Sequence, residues 1–169
     1  MGLEAQLIVR PTRLADALDI AVLHHAAVHR LGTGFYDTEI LGRWAPPVTL
    51  ERAERRYRET QASGGVTLVA ERQGEIAGFG MFEAAAGRIS ACYVAPDLAR
   101  KGIGKALVAA MEAAMAAERA PVIHVRASRN ARSFYTALDY RVSGRGEHLF
   151  EDGTRMVVVH LEKDIAPLG

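Results

Sequence analysis

The stretch that decides the fold is Tyr93-Val94-Ala95-Pro96-Asp97-Leu98-Ala99-Arg100-Lys101-Gly102-Ile103-Gly104-Lys105-Ala106-Leu107. Its pattern predicts a strand, then a basic turn that contains glycine, then a helix. Pro96 ends the strand, because proline has no N–H to donate to a sheet ladder. The helix continues from Lys105 to Ala117, a run of good helix formers without Gly or Pro.

The turn between this strand and helix has the features of an anion site. Gly102 and Gly104 allow the backbone to come close to a bulky ligand. A helix that begins at such a turn directs unpaired N–H groups and the positive end of its dipole outward. Arg100, Lys101 and Lys105 add positive charge at the same place. We therefore predict that the turn binds an anion, with phosphate as the expected group.

Two standard phosphate-binding motifs do not match the turn. A Walker loop would need Gly and Ser or Thr where this chain has Ala99 and Ala106. The dinucleotide fingerprint would need a third glycine at Leu107. Taken by itself, the turn is also compatible with a plain strand-to-helix connection that carries exposed basic residues.

The turn resembles motif A of the GCN5-related N-acetyltransferases. The matching residues are Tyr93-Val94-Ala95-Pro96 and, after a short interval, Gly102-Ile103-Gly104. The chain departs from the family pattern at Ala99, where the family usually has Arg or Gln. This removes a side-chain contact but leaves the backbone N–H groups in place.

A second segment resembles motif B of the same family. It reads Asn130-Ala131-Arg132-Ser133-Phe134-Tyr135-Thr136-Ala137-Leu138-Asp139-Tyr140, with Asp139-Tyr140 in place of the family's Gly-Phe. The two motifs occur in the family's order and at a compatible spacing. Together they are far more specific than either motif alone, and a looser resemblance extends over residues 8–163.

Length, composition and element order indicate one domain of the α/β class. A chain of 169 residues with 49% hydrophobic residues is long enough to bury one core. The predicted order is strand, helices, three strands, helix, strand, helix and two strands, which gives a mixed sheet. The resemblance implies a single N-acetyltransferase domain over residues 1–169, with a core at about 8–163. It also implies a mostly antiparallel sheet of about seven strands flanked by helices, with a splay between strands 4 and 5.

Several boundaries are predicted from capping residues. Thr12 is the candidate N-cap of a first helix that runs to Leu31, and Asp37 and Thr49 are the candidates for the next two helices. The fifth strand is predicted over 122–125, and the motif B helix over 130–138.

Composition excludes several other classes of protein. A net charge of +1 argues against a general nucleic-acid binder. No run approaches the roughly 18 apolar residues of a membrane span, and Met1 to Arg10 lack the pattern of a signal peptide. The single cysteine, Cys92, allows no internal disulfide. We therefore expect a cytoplasmic protein.

The resemblance implies acetyl-CoA as cosubstrate and no metal. The turn suits the coenzyme's pyrophosphate, and the strand edge at 92–94 suits the extended amide chain of its pantetheine arm. The residues assigned to the coenzyme are Cys92, Tyr93, Val94, Arg100, Lys101, Gly102, Ile103, Gly104, Lys105, Asn130 and Ser133. Asn130 also fits a capping role, and Cys92 also fits a small buried hydrophobe.

The resemblance further implies direct attack of a primary amine on the acetyl thioester in a ternary complex. Tyr135 is the candidate general acid, because a phenol keeps its proton at neutral pH and can give it to a thiolate. A packed aromatic is the alternative role for Tyr135. Many family members place a Glu on the fourth strand where this chain has 88–90, Arg-Ile-Ser. Glu83 is the candidate substitute base, with an exposed strand-end charge or a water chain as alternatives.

The resemblance implies that acceptor recognition lies on the first two helices and their connection, with help from the last hairpin. Phe35, Tyr36 and Trp44 are the candidate pocket residues, with core packing as the alternative. His25 and His29 lie one helical turn apart but lack the Glu of a zincin motif, so no metal site is predicted. A small amine, an amino acid, an aminoglycoside-like compound and a peptide N-terminus all fit as acceptors.

Two other classes of function stay open. One is a noncatalytic regulatory domain that binds CoA or acetyl-CoA, and the other is a protein-interaction domain whose basic turn binds an acidic partner. Dimers are common in the family, so a homodimer is one expected state.

Overall fold

The computed structural model describes residues 6–165, which contain seven strands and five helices. The strands are β1 (Leu7–Pro11), β2 (Val66–Arg72), β3 (Glu75–Glu83), β4 (Arg88–Val94), β5 (Val122–Ser128), β6 (Arg141–Leu149) and β7 (Arg155–Asp164). The helices are α1 (Ala17–Leu31), α2 (Thr38–Trp44), α3 (Leu50–Ala62), α4 (Ile103–Ala117) and α5 (Arg132–Thr136). The predicted α/β class is confirmed.

The strands form one sheet in the order β1-β2-β3-β4-β5-β7-β6. Every neighbouring pair is antiparallel except β4 and β5, which are parallel and pair only at Arg88–His124 and Ile89–Val125. The register of β4 against β3 shifts at Ser90, since Phe82 pairs with Ile89 and Met81 with Ala91. A bulge of this kind bends a strand and ends pairing. The predicted mixed sheet and its splay between β4 and β5 are therefore present, and the splay opens at Ser90.

Helices pack on both faces of the sheet. On one face, α4 buries Val108, Met111 and Met115 against Ile89, Ile123 and Leu161, and it buries Leu107 against Ala70 and Ala77. On the other face, α1 buries Leu23 against Val69 and Phe79. The side chains of β4 alternate accordingly beyond the bulge: Cys92 and Val94 pack with the α4 side, and Ala91 and Tyr93 with the α1 side.

The predicted caps of α2 and α3 are confirmed. Asp37 Oδ1 accepts from the Ile40 N–H at 2.8 Å, and Thr49 Oγ1 accepts from the Arg52 N–H at 3.3 Å. The predicted cap at Thr12 is wrong. Thr12 is buried, and both its N–H and its hydroxyl donate to the Thr67 carbonyl, at 3.1 and 3.3 Å. A contact 55 residues away in sequence thus holds the Thr12 side chain against β2, away from any helix N–H, and α1 begins only at Ala17.

Two further boundaries differ from the sequence pattern. Strand β5 continues to Ser128 because β7 pairs with it along its whole length. A 3-10 turn at Arg129–Ala131 then precedes α5, which is shorter than the predicted helix. Within residues 6–165, no helix is long and apolar enough to cross a bilayer.

Candidate functional site

The splay between β4 and β5 opens into a cavity of about 670 Å³. Its two sides are β4 from Ser90 to Val94 and β5 from Val125 to Ser128. The start of α4 closes one end, α5 lies along the wall, and residues of α1 and α2 border the other end. The cavity therefore connects the basic turn with the aromatic residues of the first two helices.

The turn before α4 presents free backbone donors to this cavity. Arg100 and Gly102 both have left-handed backbone, with φ of 65° and 78°. Among the described residues, the N–H groups of Ile103, Gly104 and Lys105 have no hydrogen-bond acceptor, and the first paired amide is Ala106, which donates to the Gly102 carbonyl at 3.0 Å. Three adjacent free N–H groups at the positive end of a 15-residue helix have the arrangement that binds anions in other proteins.

The three basic side chains of the turn separate. Arg100 and Lys105 are exposed and border the cavity. Lys101 lines a different recess, together with Arg72, Glu75 and Asp97. The structure thus does not bring the Lys101 side chain to the cavity. The reversal of backbone at Arg100, which the sequence pattern did not reveal, explains the separation.

Gly104 has a packing role. A Cβ built on Gly104 would lie 3.0 Å from two ring atoms of Phe134 and 3.5 Å from a Val94 methyl. Gly102 has open space around it, so its positive φ is the reason for glycine there. The two glycines of the motif therefore have different roles: Gly102 permits the turn, and Gly104 permits the close approach of α4 to α5.

Tyr135 lies within the wall of the cavity. Its side chain is 3% exposed and makes edge-on contacts with Phe134 and Tyr140, at ring-centre distances of 5.0 and 5.5 Å. Burial raises the pKa of Tyr135 well above its ordinary value, so the phenol is protonated at neutral pH. Its hydroxyl has no hydrogen-bond partner among residues 6–165, whereas the Tyr140 hydroxyl donates to Glu112 at 2.9 Å.

Three polar side chains near Tyr135 also border the cavity. Asn130 Oδ1 is buried and has no hydrogen-bond partner within residues 6–165, which leaves an acceptor oxygen unsatisfied in this part of the chain. Ser133 lies on the same wall. The Cys92 thiol points towards the Gly104 carbonyl, 3.9 Å away, and burial raises its pKa to about 12. Cys92 is therefore a neutral thiol and not a thiolate nucleophile at neutral pH.

An aromatic group forms the end of the cavity beneath α1 and α2. Phe35 and Trp44 line it, and Trp44 Nε1 donates to the Tyr93 hydroxyl at 3.1 Å. Tyr36 packs its ring edge on Trp44 but does not line the cavity. Its hydroxyl donates to the Val157 carbonyl and accepts from the Arg129 N–H, both at 2.7 Å. Tyr36 therefore anchors the connection between α1 and α2 to the far half of the sheet.

The remaining candidates lie away from the cavity. Glu83 ends β3 in an ion pair with Arg88 at 2.6 Å, and the structure does not bring it to the splay. His25 and His29 both hydrogen-bond to the Ala45 carbonyl, at 3.0 and 2.9 Å, and so join α1 to the end of α2. The described part of the chain holds no group of three or more His, Cys, Asp or Glu side chains placed for a metal.

The sequence did not mark every residue of the cavity as a site residue. Arg126 and Ser90 both line the splay. A signal for Arg126 exists in the alternation of β5, where Ile123, Val125 and Ala127 are buried and the residues between them face the other way. Ser90 gives no such signal, because its position depends on a bulge that forms only against β3.

Fold and site together define an α/β protein whose parallel strand pair separates beside the free N-terminus of a helix. Residues 43–163 match the family model described as an acetyltransferase (GNAT) domain. The match covers well over half of the chain, so the chain belongs to the GNAT acetyltransferases.

Solved structures agree with this assignment. The chain is similar to a GCN5-related N-acetyltransferase (aminotransferase, class II) from Rhodopseudomonas palustris, with 25% identity, a TM-score of 0.84 and coverage of 98% of this chain and 99% of the other. The PaiA N-acetyltransferase of Thermoplasma acidophilum, in complex with coenzyme A, shares 17% identity with a TM-score of 0.71, over 95% and 99% of the two chains.

A ribosomal-protein-alanine N-acetyltransferase from Brucella melitensis shares 21% identity, with a TM-score of 0.70 and coverage of 94% and 99%. The similarity to the Thermoplasma and Brucella proteins shows that this chain shares their fold. No curated protein matches the sequence.

Proposed function

We propose that this protein, as one domain over residues 1–169, transfers the acetyl group of acetyl-CoA to a primary amine by direct attack in a ternary complex. The observation that carries the proposal is the continuous cavity that is lined both by the start of α4, with its unpaired amides, and by Tyr135. A ligand with a diphosphate at one end and a thioester at the other fits such a passage.

The coenzyme's diphosphate binds at the start of α4. The N–H groups of Ile103, Gly104 and Lys105 supply donors without protein partners, and Arg100 and Lys105 supply charge. Anions at a helix N-terminus are stabilised by both the free donors and the helix dipole. The loss of the family's Arg or Gln at Ala99 is tolerated because the backbone carries the contact.

The pantetheine arm runs along the open edge of β4. Beyond Ile89 this edge has no partner strand, so its N–H and C=O groups are free to pair with an extended amide chain. Asn130 borders the same passage, and its side-chain amide is assigned to a hydrogen bond with the arm. The PaiA relative was solved with coenzyme A, which supports a coenzyme in this fold.

The chemistry takes place where the splay meets Tyr135. The amine nitrogen attacks the thioester carbonyl, whose oxygen is polarised by a backbone N–H near Val94, and the C–S bond then breaks. Tyr135 gives its proton to the departing sulfur and regains one from water. Cys92 takes no part as a nucleophile, because its thiol is protonated at neutral pH.

Water takes the proton from the attacking amine. Among the described residues that line the cavity, none is Asp, Glu or His. Glu83, the candidate base, is paired with Arg88 outside the cavity. The amine therefore reaches the thioester in its neutral form, and the proton that its nitrogen loses after attack passes to ordered water.

Thiol release from acetyl-CoA with a panel of primary amines tests the proposal. Tyr135→Phe is expected to lower kcat by about a hundredfold or more, which is the usual contribution of a general acid. Its melting temperature and its affinity for coenzyme A should stay close to wild type, because the hydroxyl has no described partner to lose. Tyr57→Phe, on α3 and outside the cavity, is the matched control. Full turnover by Tyr135→Phe would remove Tyr135 from the mechanism.

A noncatalytic domain that binds CoA or acetyl-CoA is the second candidate function. The absence of Asp, Glu and His from the described cavity lining favours it, since the site then offers no side-chain base. Saturable binding of acetyl-CoA without thiol release for any amine would support this second function and contradict the first.

A further inference from the structure

The charges that line the cavity are all positive. They belong to Arg100, Lys105 and Arg126, and no described Asp or Glu lines the cavity. A site built for a polyamine or another multiply charged cation needs carboxylates to replace the water around the second charge. The cavity therefore selects against such acceptors.

Arg126 lies apart from the two basic residues of the diphosphate site. Its neighbours in β5, Val125 and Ala127, are buried in the core on the α4 side of the sheet. Because side chains alternate along a strand, Arg126 projects from the opposite face, the one on which α1 packs. Arg126 is thus placed on the acceptor side of the splay, and the α4 N-terminus on the coenzyme side.

The surroundings of Arg126 leave its guanidinium free for a ligand. It is exposed, and its described polar contact is a long one, 3.4 Å from Nη2 to His148 Nδ1. Other arginines of this half of the sheet are engaged, such as Arg141, which pairs with Glu162 and Asp164 at 3.0 and 2.8 Å. An arginine that lines a cavity without a carboxylate partner matches the planar, two-pronged geometry of a carboxylate or phosphonate.

Other groups that line the splay suit a small zwitterion. Ser90 and Ser128 border the splay on its two strands and offer hydroxyl groups. Leu31, Phe35 and Trp44 supply an apolar wall.

Resting on the function proposed above, we propose that Arg126 is a specificity residue that binds an anionic group of the acceptor. The acceptor is then a primary amine that carries a carboxylate or similar anion and an apolar side chain, as in a free amino acid.

Matched pairs of acceptors test this inference. Leucine, methionine and phenylalanine are compared with their carboxamides in the thiol-release assay, with spermidine as a polycationic acceptor. The carboxamide has the less basic amine and is the better nucleophile at neutral pH, so a preference for the free acid must come from binding. We expect kcat/KM to favour the acids by about tenfold or more, in line with charge-assisted hydrogen bonds. Arg126→Gln should bring the ratio near one.

The control variant is Arg145→Gln, an exposed arginine of β6 that does not line the cavity and should keep the wild-type ratio. Arg126→Gln should also keep the wild-type affinity for coenzyme A, which separates a loss of acceptor selectivity from damage to the coenzyme site. A wild-type preference for carboxamides or spermidine, or an unchanged ratio in Arg126→Gln, would overturn the inference.

A binding measurement keeps the inference testable when turnover is absent. Calorimetry of the CoA-saturated protein with N-acetyl-leucine and N-acetyl-leucinamide compares the anionic and neutral ligands without chemistry. Tighter binding of the acid, lost in Arg126→Gln, supports the role of Arg126 even if the catalytic proposal fails. Equal binding of the two ligands refutes it even if acetyl transfer is found.

Discussion

Replacement of Gly104 by alanine tests the link between helix packing and the coenzyme site. The new Cβ would lie 3.0 Å from two atoms of the Phe134 ring, where ordinary contact begins at about 3.4 Å. Phe134 in turn packs on Tyr135, with ring centres 5.0 Å apart. The ring or α4 must therefore shift by a few tenths of an ångström, and the wall of the cavity shifts with it.

The size of the effect follows from two opposing contributions. Gly→Ala in a helix gains up to about 1 kcal/mol in propensity, and overpacking of a well-packed site costs about 1–3 kcal/mol. Gly42→Ala in α2 isolates the first contribution, because its Cβ meets nothing within 4 Å and its φ is not positive. We expect Gly104→Ala to be about 1–3 kcal/mol less stable than Gly42→Ala, or roughly 2–12 °C lower in Tm at 2–4 °C per kcal/mol.

Urea denaturation measures both free energies of unfolding, and calorimetry measures the affinity for coenzyme A. Gly42→Ala should bind coenzyme A as wild type does, whereas Gly104→Ala should bind it several-fold more weakly. If Gly104→Ala matches Gly42→Ala in stability and wild type in affinity, the proposed packing of α4 on Phe134 does not shape the coenzyme site.

Two further predictions concern charge. Burial lowers the pKa of His24 to about 4, below the value near 6.5 in an unfolded chain. Between these two pKa values the unfolded state binds a proton that the folded state does not, so stability falls as the pH drops from about 6.5 towards 4. The free energy of unfolding lost at pH 5 is about 2 kcal/mol. The fall in Tm between pH 7 and pH 5 should therefore be smaller in His24→Gln than in wild type, and it should persist in His160→Gln, a control at an exposed histidine. An equal fall in wild type and both variants would contradict this role of His24. Arg100→Glu should weaken coenzyme A binding by about fivefold to tenfold and lower the salt dependence of that binding. Lys101→Glu should have a smaller effect, because the Lys101 side chain lies in another recess. Equal effects of the two variants in calorimetry would place both side chains at the diphosphate.

The sequence predicted most where the signal is local. The strand, turn and helix around Gly102 depend on proline, glycine and helix formers that act within a few residues. The caps at Asp37 and Thr49 are equally local, since each side chain bonds an N–H three residues on. These features needed no knowledge of the tertiary structure.

Contacts and backbone angles that form only in the folded chain explain the differences. The Thr12 hydroxyl donates to the Thr67 carbonyl instead of accepting from a helix N–H, and Glu83 pairs with Arg88 across the β3–β4 connection rather than facing the splay. Lys101 turns away because Arg100 adopts left-handed backbone, a conformation that few non-glycine residues favour. In each case the deciding contact or dihedral angle is absent from the local pattern.

The candidate site shows the same division. Tyr135, Cys92 and the glycines of the turn lie in recognisable motifs, and the structure places all of them at the cavity. Ser90 reaches it only because β4 bulges against β3, and Arg126 only because the parallel pairing with β4 stops after Ile89–Val125. The residues on the acceptor side of the cavity therefore depend on strand pairing that forms in the tertiary structure. The residues on the coenzyme side follow from one local sequence motif.

The central claim is that the diphosphate of coenzyme A lies on the free amides at the start of α4, with its thiol end in the splay beside Tyr135. A crystal structure of the complex with coenzyme A measures this directly. The account predicts diphosphate oxygens within hydrogen-bond distance of the Ile103, Gly104 and Lys105 nitrogens, and the sulfur within reach of the Tyr135 hydroxyl. A diphosphate bound elsewhere, with these three amides facing only water, would contradict it.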